Sequence, residues 1–180
     1  IHKDLIELCK IGNPKAQYRL YKLYAKAMYN ICYRMMNNRE EAEDMLQEAF
    51  AETFQKLNTF RYESTFGAWL KRIVVNKCIN QLKKNQAELE FTENIYNHQT
   101  ENSYIDFENI KLNVQRILKA IEKLPDGYRI VFCLYNFEGY DHQEIAMILG
   151  ISESTSKTQY FRAKSKIKAL LTEENEIRQA

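Results

Sequence analysis

Three sets of polar and charged side chains in this 180-residue sequence are spaced for recognition chemistry. Arg72, Asn76, Asn80, Lys83 and Lys84 recur at i, i+4, i+8, i+11 and i+12, which is one stripe of a helix. Asn amides can bond base edges, and the cations can hold phosphates. Just before them, Phe60, Arg61, Tyr62, Glu63, Ser64, Thr65 and Phe66 mix aromatic rings with charged and small polar groups. Such rings can stack on unpaired bases, and a loop of small polar groups beside a helix can form a pocket for an extruded base. Core packing is the other reading for the aromatics, and the preferred one for Trp69, which lies on the inward stripe. In the second set Lys157, Thr158, Gln159, Arg162 and Lys164 can reach bases or phosphates, and from Glu153 to Leu171 that first Glu is the only acid. In the third set Glu41, Asp44, Glu48 and Glu52 share a helix face, with Gln47 at its edge. Like charges so spaced repel, which points to an external basic partner. A solvated face and a carboxylate metal site are the alternatives, the second without supporting histidines.

Bond-making chemistry has little to draw on. Cys9, Cys32, Cys78 and Cys133 are far apart and form no CxxC pair, and there are only three His. Neither a zinc site nor a disulfide framework is expected, and a reducing cytoplasm fits better. No catalytic residue, metal ligand or cofactor is assigned, and the chain is expected not to be an enzyme. No apolar run approaches the roughly 20 residues of a membrane helix, and Ile1 to Leu8 mix charged with apolar groups, so neither a membrane span nor a signal peptide is expected.

The net charge of +2 conceals a block pattern. Residues 1–39 hold eight bases against two acids, residues 40–54 six acids and no base, and residues 55–84 seven bases against one acid. Residues 85–110 hold six acids without a base, and residues 153–171 five bases against one acid. Blocks of this kind create local potentials that the sum hides.

The elements that must carry these groups are helical. Leu20, Leu23, Tyr24, Ala27, Met28, Ile31, Cys32 and Met35 follow the rhythm of one buried stripe, which Asn37-Asn38 breaks. A helix from about Glu40 to Leu57 turns Ala42, Met45, Leu46, Ala49, Phe50 and Leu57 inward. After a loop from Asn58 to Thr65, a third helix starts near Phe66 with Trp69, Leu70, Ile73, Val74, Cys78 and Leu82 as its core face. Residues 85–106 lose apolar periodicity and read as an acidic flexible linker. Beyond it, Ile110, Val114, Ile117, Leu118 and Ile121 form a further stripe, and a helix carrying Ile130, Val131, Leu134 and Phe137 follows Pro125 and stops at Gly139. No segment alternates with period two, so essentially no sheet is expected.

Residues 141–168 give the most specific local signal. Asp141 and Glu144 form a capping-box pair before a short helix, 142–149. Gly150 supplies a left-handed turn, Ile151 plugs the angle, and Ser152 caps a helix running to about Leu171. Two helices crossing near a right angle need a small contact such as Ala146, a turn without a Cβ penalty and an apolar plug. That is helix-turn-helix geometry, which sends the second helix into a DNA major groove.

The segments EEAEDMLQEAF at 40–50, FRYESTFGAWLKRIVVN at 60–76 and YDHQEIAMILGISESTSKTQYFRAK at 140–164 together resemble a bacterial sigma factor of the extracytoplasmic-function group, over roughly Lys10 to Leu171. The resemblance implies an all-α protein of two small helical domains. A sigma-two-type bundle spans 1–84, a polar acidic linker 85–106, a sigma-four-type helix-turn-helix domain 107–175 and a tail 176–180. It implies that the protein binds core RNA polymerase, recognises the −10 and −35 promoter elements and helps melt DNA.

Carried over residue by residue, Asp44, Gln47 and Glu48 match the polymerase contact. Phe60 to Phe66, Arg72, Asn76 and Asn80 match the −10 surface, and Thr155, Lys157, Thr158, Gln159, Phe161, Arg162 and Lys164 match the −35 surface. Tyr62 replaces a frequent Gly, Gln159 a common Arg, and Ser156 a usual apolar residue. The implied partners are core polymerase, promoter DNA and an anti-sigma factor, commonly membrane-tethered, and the implied location is the cytoplasm. The competing reading is a stand-alone helix-turn-helix regulator, for which the FRYESTFGAW unit and the acidic linker would be unnecessary.

Overall fold

The computed structural model describes residues 2–85 and 110–179, and the expected linker, apart from its first residue, lies outside them. The chain divides into two compact units, Ile1–Glu88 and Leu89–Ala180. The described residues are helical or looped, with no strand among them.

The first unit holds α1 (Lys3–Lys10), α2 (Pro14–Met36), α3 (Arg39–Lys56), a 3₁₀ turn (Leu57–Thr59) and α4 (Phe66–Asn85). Helices α2, α3 and α4 pack against one another in all three pairings, and α1 lies against the start of α2 and the 3₁₀ turn. No helix was expected over α1, although Leu5, Ile6 and Cys9 recur at i, i+1 and i+4. It is an eight-residue helix, too short to stand alone in water, and it is held by burying Ile6 and Cys9. The N-cap of α2 is Asn13, whose Oδ1 accepts from Ala16 N at 3.1 Å, with Pro14 at the first helical position.

The Asn37-Asn38 break is a pair of back-to-back caps. Asn37 ends α2 in the left-handed region at φ 54° and donates its N–H to Tyr33 O. Asn38 then starts α3, its Oδ1 accepting from Glu40 N at 2.9 Å and Glu41 N at 3.2 Å. Asn suits both tasks, because its short amide tolerates the left-handed well and also satisfies first-turn donors.

The core of this unit runs through Leu20, Cys32 and Met35 of α2, Ala42 and Ala49 of α3, and Leu70, Val74, Val75, Cys78 and Ile79 of α4. The inward face of α4 is rotated from the expected one. Val75 and Ile79 are buried, whereas Trp69 and Ile73 are half-buried. Leu23 and Ala27, expected on the buried stripe of α2, are exposed, because a 23-residue helix packed over part of its length leaves some apolar side chains in water. At the start of α4, Gly67 allows close approach to α2: a Cβ there would sit 3.3 Å from Tyr24 Cε1.

The second unit holds α5 (Ile110–Glu122), α6 (Asp126–Asn136), α7 (His142–Leu149) and α8 (Glu153–Gln179). Ala120, Ile121, Leu124, Cys133, Ala163 and Ile167 form a core cluster, with Ile117, Phe132 and Leu170 packed on it. Val114 and Leu118, expected to face inward, are exposed, whereas Ala120 and Ile121 are buried and Ile117 is half-buried against them. Helix α8 continues beyond the expected end at Leu171 and takes in residues 176–179 of the expected tail. Nothing in Thr172–Arg178 stops it, for the segment lacks Gly and Pro and is rich in Glu.

Candidate nucleic-acid and partner interfaces

The stripe on α4 is where its spacing placed it. Arg72, Asn76, Asn80, Lys83 and Lys84 are all exposed, and no acid lies between Arg72 and Lys84 to neutralise them. The loop before it differs from expectation. Phe60 and Phe66 are buried, at 4% and 3% exposure, and are not free to stack on a base. Their rings lie 5.7 Å apart, each within 6 Å of Trp69, and Phe66 is 5.1 Å from Tyr24. The reason is burial: two large rings at the mouth of the bundle remove more apolar surface from water than the loop could otherwise hide. The cluster forms the floor beneath Arg61, Tyr62, Glu63, Ser64 and Thr65, which are exposed. Thr65 also caps α4, its Oγ1 accepting from Ala68 N at 3.2 Å.

Tyr62 occupies the left-handed region at φ 61°. Its hydroxyl donates to Glu7 Oε1 at 2.6 Å, and its ring lies 4.7 Å from that of Phe60. Lys10 Nζ sits 4.8 Å and Lys3 Nζ 5.6 Å from the ring centre. Partial burial, and then the hydrogen bond and charge of Glu7, push the Tyr62 phenol up to about 12, so it remains a donor at neutral pH. The same hydrogen bond, followed by that of Lys10, holds the Glu7 carboxyl below its usual value. Glu7, Lys3 and Lys10 belong to this site although nothing in their spacing marked them. The sequence signal was indirect, a bulky residue where a turn favours Gly.

On α3, Asp44, Gln47 and Glu48 are exposed along one side. The expected mutual repulsion of the acids is relieved within the unit. Lys77 Nζ of α4 lies 3.4 Å from Glu48 Oε2 and 3.1 Å from Glu52 Oε2, and Lys56 Nζ lies 2.6 Å from Glu52 Oε1. Lys56 first, and then Lys77, hold the Glu52 carboxyl below its ordinary value. An outside base is therefore not required by electrostatics alone, and the face keeps Asp44 and Gln47 at its outer edge. Among the described residues no group of three or more His, Cys, Asp or Glu side chains gathers closely enough to hold a metal ion.

In the second unit the turn is built as its sequence indicates. Asp141 Oδ1 accepts from Glu144 N at 2.8 Å, and Glu144 Oε2 accepts from Asp141 N at 3.0 Å. Gly150 sits at φ 72° and donates to Ala146 O at 2.9 Å. Ser152 Oγ accepts from Thr155 N at 3.0 Å and starts α8. On α8, Lys157 and Lys164 are exposed, while Thr158, Phe161 and Arg162 are half-buried with part of their surface in solvent. Lys157 Nζ pairs with Glu153 Oε1 at 2.6 Å, and Lys164 Nζ lies 4.7 Å from the centre of the Tyr160 ring, the residue four before it.

Two members of the expected −35 surface do not face outward. Thr155 is buried, with its hydroxyl 2.7 Å from Ser152 Oγ, and Gln159 is 0% exposed. Both lie on the inward stripe with Ala163 and Ile167, at i+4 spacing from Thr155 to Ala163 and again from Ala163 to Ile167. Both amide atoms of Gln159 are buried without a hydrogen-bond partner among the described residues. Ser156, where an apolar residue was usual, is buried too, and its Oγ lies 2.9 Å from His142 Nδ1.

The matches to known proteins follow this division. The Sigma-70 region 2 family matches residues 20–88, and the Sigma-70, region 4 family matches residues 114–167. The chain is 31% identical over 183 residues to the ECF RNA polymerase sigma factor SigW of Bacillus subtilis, covering 94% of this chain and 96% of that relative. It is 28% identical over 173 residues to the ECF RNA polymerase sigma-E factor of Escherichia coli K12, covering 91% and 90%. Among solved structures it resembles the sigma factor RpoE in complex with the anti-sigma factor NepR from Bartonella quintana, with a TM-score of 0.56 at 22% identity, covering 86% and 96%. It also resembles CnrH in complex with the cytosolic domain of CnrY, with a TM-score of 0.54 at 24% identity, covering 93% and 95%.

Proposed function

The chain belongs to the extracytoplasmic-function group of sigma-70 factors and acts in promoter recognition and transcription initiation, and from that premise we propose how its surfaces share the work. Asp44, Gln47 and Glu48 on α3 form the docking face for core RNA polymerase. The exposed part of the 60–66 loop, with Arg72, Asn76 and Asn80 on α4, engages the −10 element and holds a base of the opened strand. Lys157, Thr158, Phe161, Arg162 and Lys164 on α8 read the −35 element in the major groove. Phe60, Phe66, Thr155 and Gln159 act from inside, by shaping the floor of the loop and the seat of α8.

The observation that carries this reading is the exposed, acid-free stripe of Arg72, Asn76, Asn80, Lys83 and Lys84 on the helix that follows the exposed loop. Asn side chains there can bond base edges, and the cations beside them can hold the backbone of a separated strand. Each surface alone neutralises few phosphates, so unspecific affinity stays low. Two such surfaces on one chain raise each other's effective concentration at a promoter. Opening a base step costs a few kcal/mol, and capture of the unstacked base offsets part of that.

The protein works in the cytoplasm without catalytic chemistry of its own. It is held inactive by an anti-sigma protein, commonly membrane-tethered, that covers the polymerase-binding faces. The similar sigma factor RpoE, captured in complex with the anti-sigma factor NepR, supports such a partner.

The test is transcription with core RNA polymerase on a randomised promoter library, followed by Asn76→Ala on the selected promoter. Strand opening, read by permanganate reactivity, is expected to slow about tenfold with initial binding little changed, the cost of losing base-edge hydrogen bonds. Equal open-complex yield removes Asn76 from the capture site.

A further inference from the structure

We infer that α1 is a clasp that fixes the shape of the 60–66 loop through Tyr62, which makes Glu7 and Lys10 positioning residues for strand opening. The inference rests on the reading of that loop as the base-capture site. The Sigma-70 region 2 match begins at residue 20, after α1.

A bulky side chain at positive φ is a backbone outlier, and it persists only where its surroundings over-determine it. At Tyr62 the surroundings are α1. The phenol donates to Glu7, the ring lies by the ammoniums of Lys10 and Lys3, and the Phe60 ring lies 4.7 Å away. Lys10 is three-quarters or more removed from solvent, with 17% of its side chain exposed, and it makes three contacts at once. Its Nζ lies 3.0 Å from Glu7 Oε1, 3.4 Å from the carbonyl oxygen of Phe60 and 4.8 Å from the Tyr62 ring centre. One ammonium therefore ties the loop's first carbonyl and its strained residue to the same helix.

The helix itself cannot drift. Ile6 and Cys9 are buried, Gly12 N donates to Cys9 O at 3.0 Å, and Asn13 N donates to Leu8 O at 3.1 Å. Arg61 and Glu63 flank the fixed residue, so the clasp sets the directions in which both leave the backbone. A loop already held in its working shape loses less conformational freedom when a base enters, and capture is correspondingly faster.

The test uses the full chain with core RNA polymerase and a promoter duplex selected by the wild-type protein. Glu7→Ala should speed limited tryptic cleavage after Arg61 about fivefold and slow permanganate-detected opening by a similar factor, since a net hydrogen bond is worth about a factor of two to ten. Glu7→Gln, which keeps an acceptor, should recover most of both. On a pre-melted promoter bubble Glu7→Ala should weaken binding by a similar factor, and binding of an upstream duplex should not change. The decisive arm is Glu7→Ala in a Tyr62→Gly background. Glycine reaches the left-handed region unaided, so the clasp becomes dispensable and the further effect on opening should shrink to less than about twofold. An equal loss in both backgrounds, or a loosened loop with unchanged opening, overturns the positioning role. If Asn76→Ala is silent as well, the failure lies in the assignment of the loop to strand capture.

Discussion

Tyr62 and Gly150 share the left-handed region, at φ 61° and φ 72°, and the chain reaches it by opposite means. At Gly150 the solution is local. The residue has no Cβ, the preceding helix is closed by Gly150 N donating to Ala146 O, and the flanking caps lie within a dozen residues. At Tyr62 it is distant: Glu7 is fifty-five residues away in sequence, and Lys10 and Lys3 approach from the same helix. A turn that must hold two helices at a fixed angle is written into its own residues. A loop that must meet a ligand is held by side chains from elsewhere, where a change can retune it without rewriting the turn.

The largest expected effect falls on the local solution. Gly150→Val should destabilise the second unit by about 2 kcal/mol in denaturant unfolding, through the strain of a branched side chain at positive φ. A Cβ there meets nothing within 4 Å, so the loss is of backbone origin, and an unchanged midpoint would show that the turn relaxes freely. Gln159→Met should act in the other direction, stabilising the unit by about 1–2 kcal/mol, because it removes two buried polar atoms that have no partner. A destabilised variant would mean that the amide finds partners in solution. Asp141→Ala should cost about 1 kcal/mol by opening the capping box, and a loss far below this would move the turn's stability from its caps to its core.

The smallest effect is a pH dependence. Burial first, and then the charge of Lys157, hold His142 below its ordinary value of 6.5. The stability that the neutral ring confers is present above that value. It is lost as pH falls through 6.5 toward the lower folded value, because the unfolded chain takes up the proton more readily. The thermal midpoint of the second unit should therefore drop on acidification, and His142→Gln should flatten that drop; an equal slope in both proteins would exonerate the imidazole.

The same contrast explains what was legible in the sequence. Asp141, Glu144, Gly150 and Ser152 act within a turn or two of themselves, so residue type and spacing suffice to read them. The exposed stripe on α4 was legible for the same reason, since helical period alone sorts Arg72, Asn76 and Asn80 to one side. Helix α1 was passed over although Leu5, Ile6 and Cys9 recur at i, i+1 and i+4, because eight residues carry barely two turns of that rhythm and the helix stands only by packing on α2 and the 3₁₀ turn. The burial of Phe60 and Phe66 depends on Tyr24 and Trp69, which the loop's own sequence does not contain. Gln159 and Thr155 misled because residue type was weighed above period: Ala163 and Ile167, continuing the same i+4 row, mark that stripe as inward.

The corner at Asn37-Asn38 has no slack. One residue closes α2 and the next opens α3, so there is no spacer in which an added residue could be absorbed. A single insertion there would have to be absorbed by undoing one of the two caps, since the buried faces of α2 and α3 hold both helices where they are. Length variation in this chain is therefore barred from the α2–α3 corner and must fall on segments whose ends are not both caps.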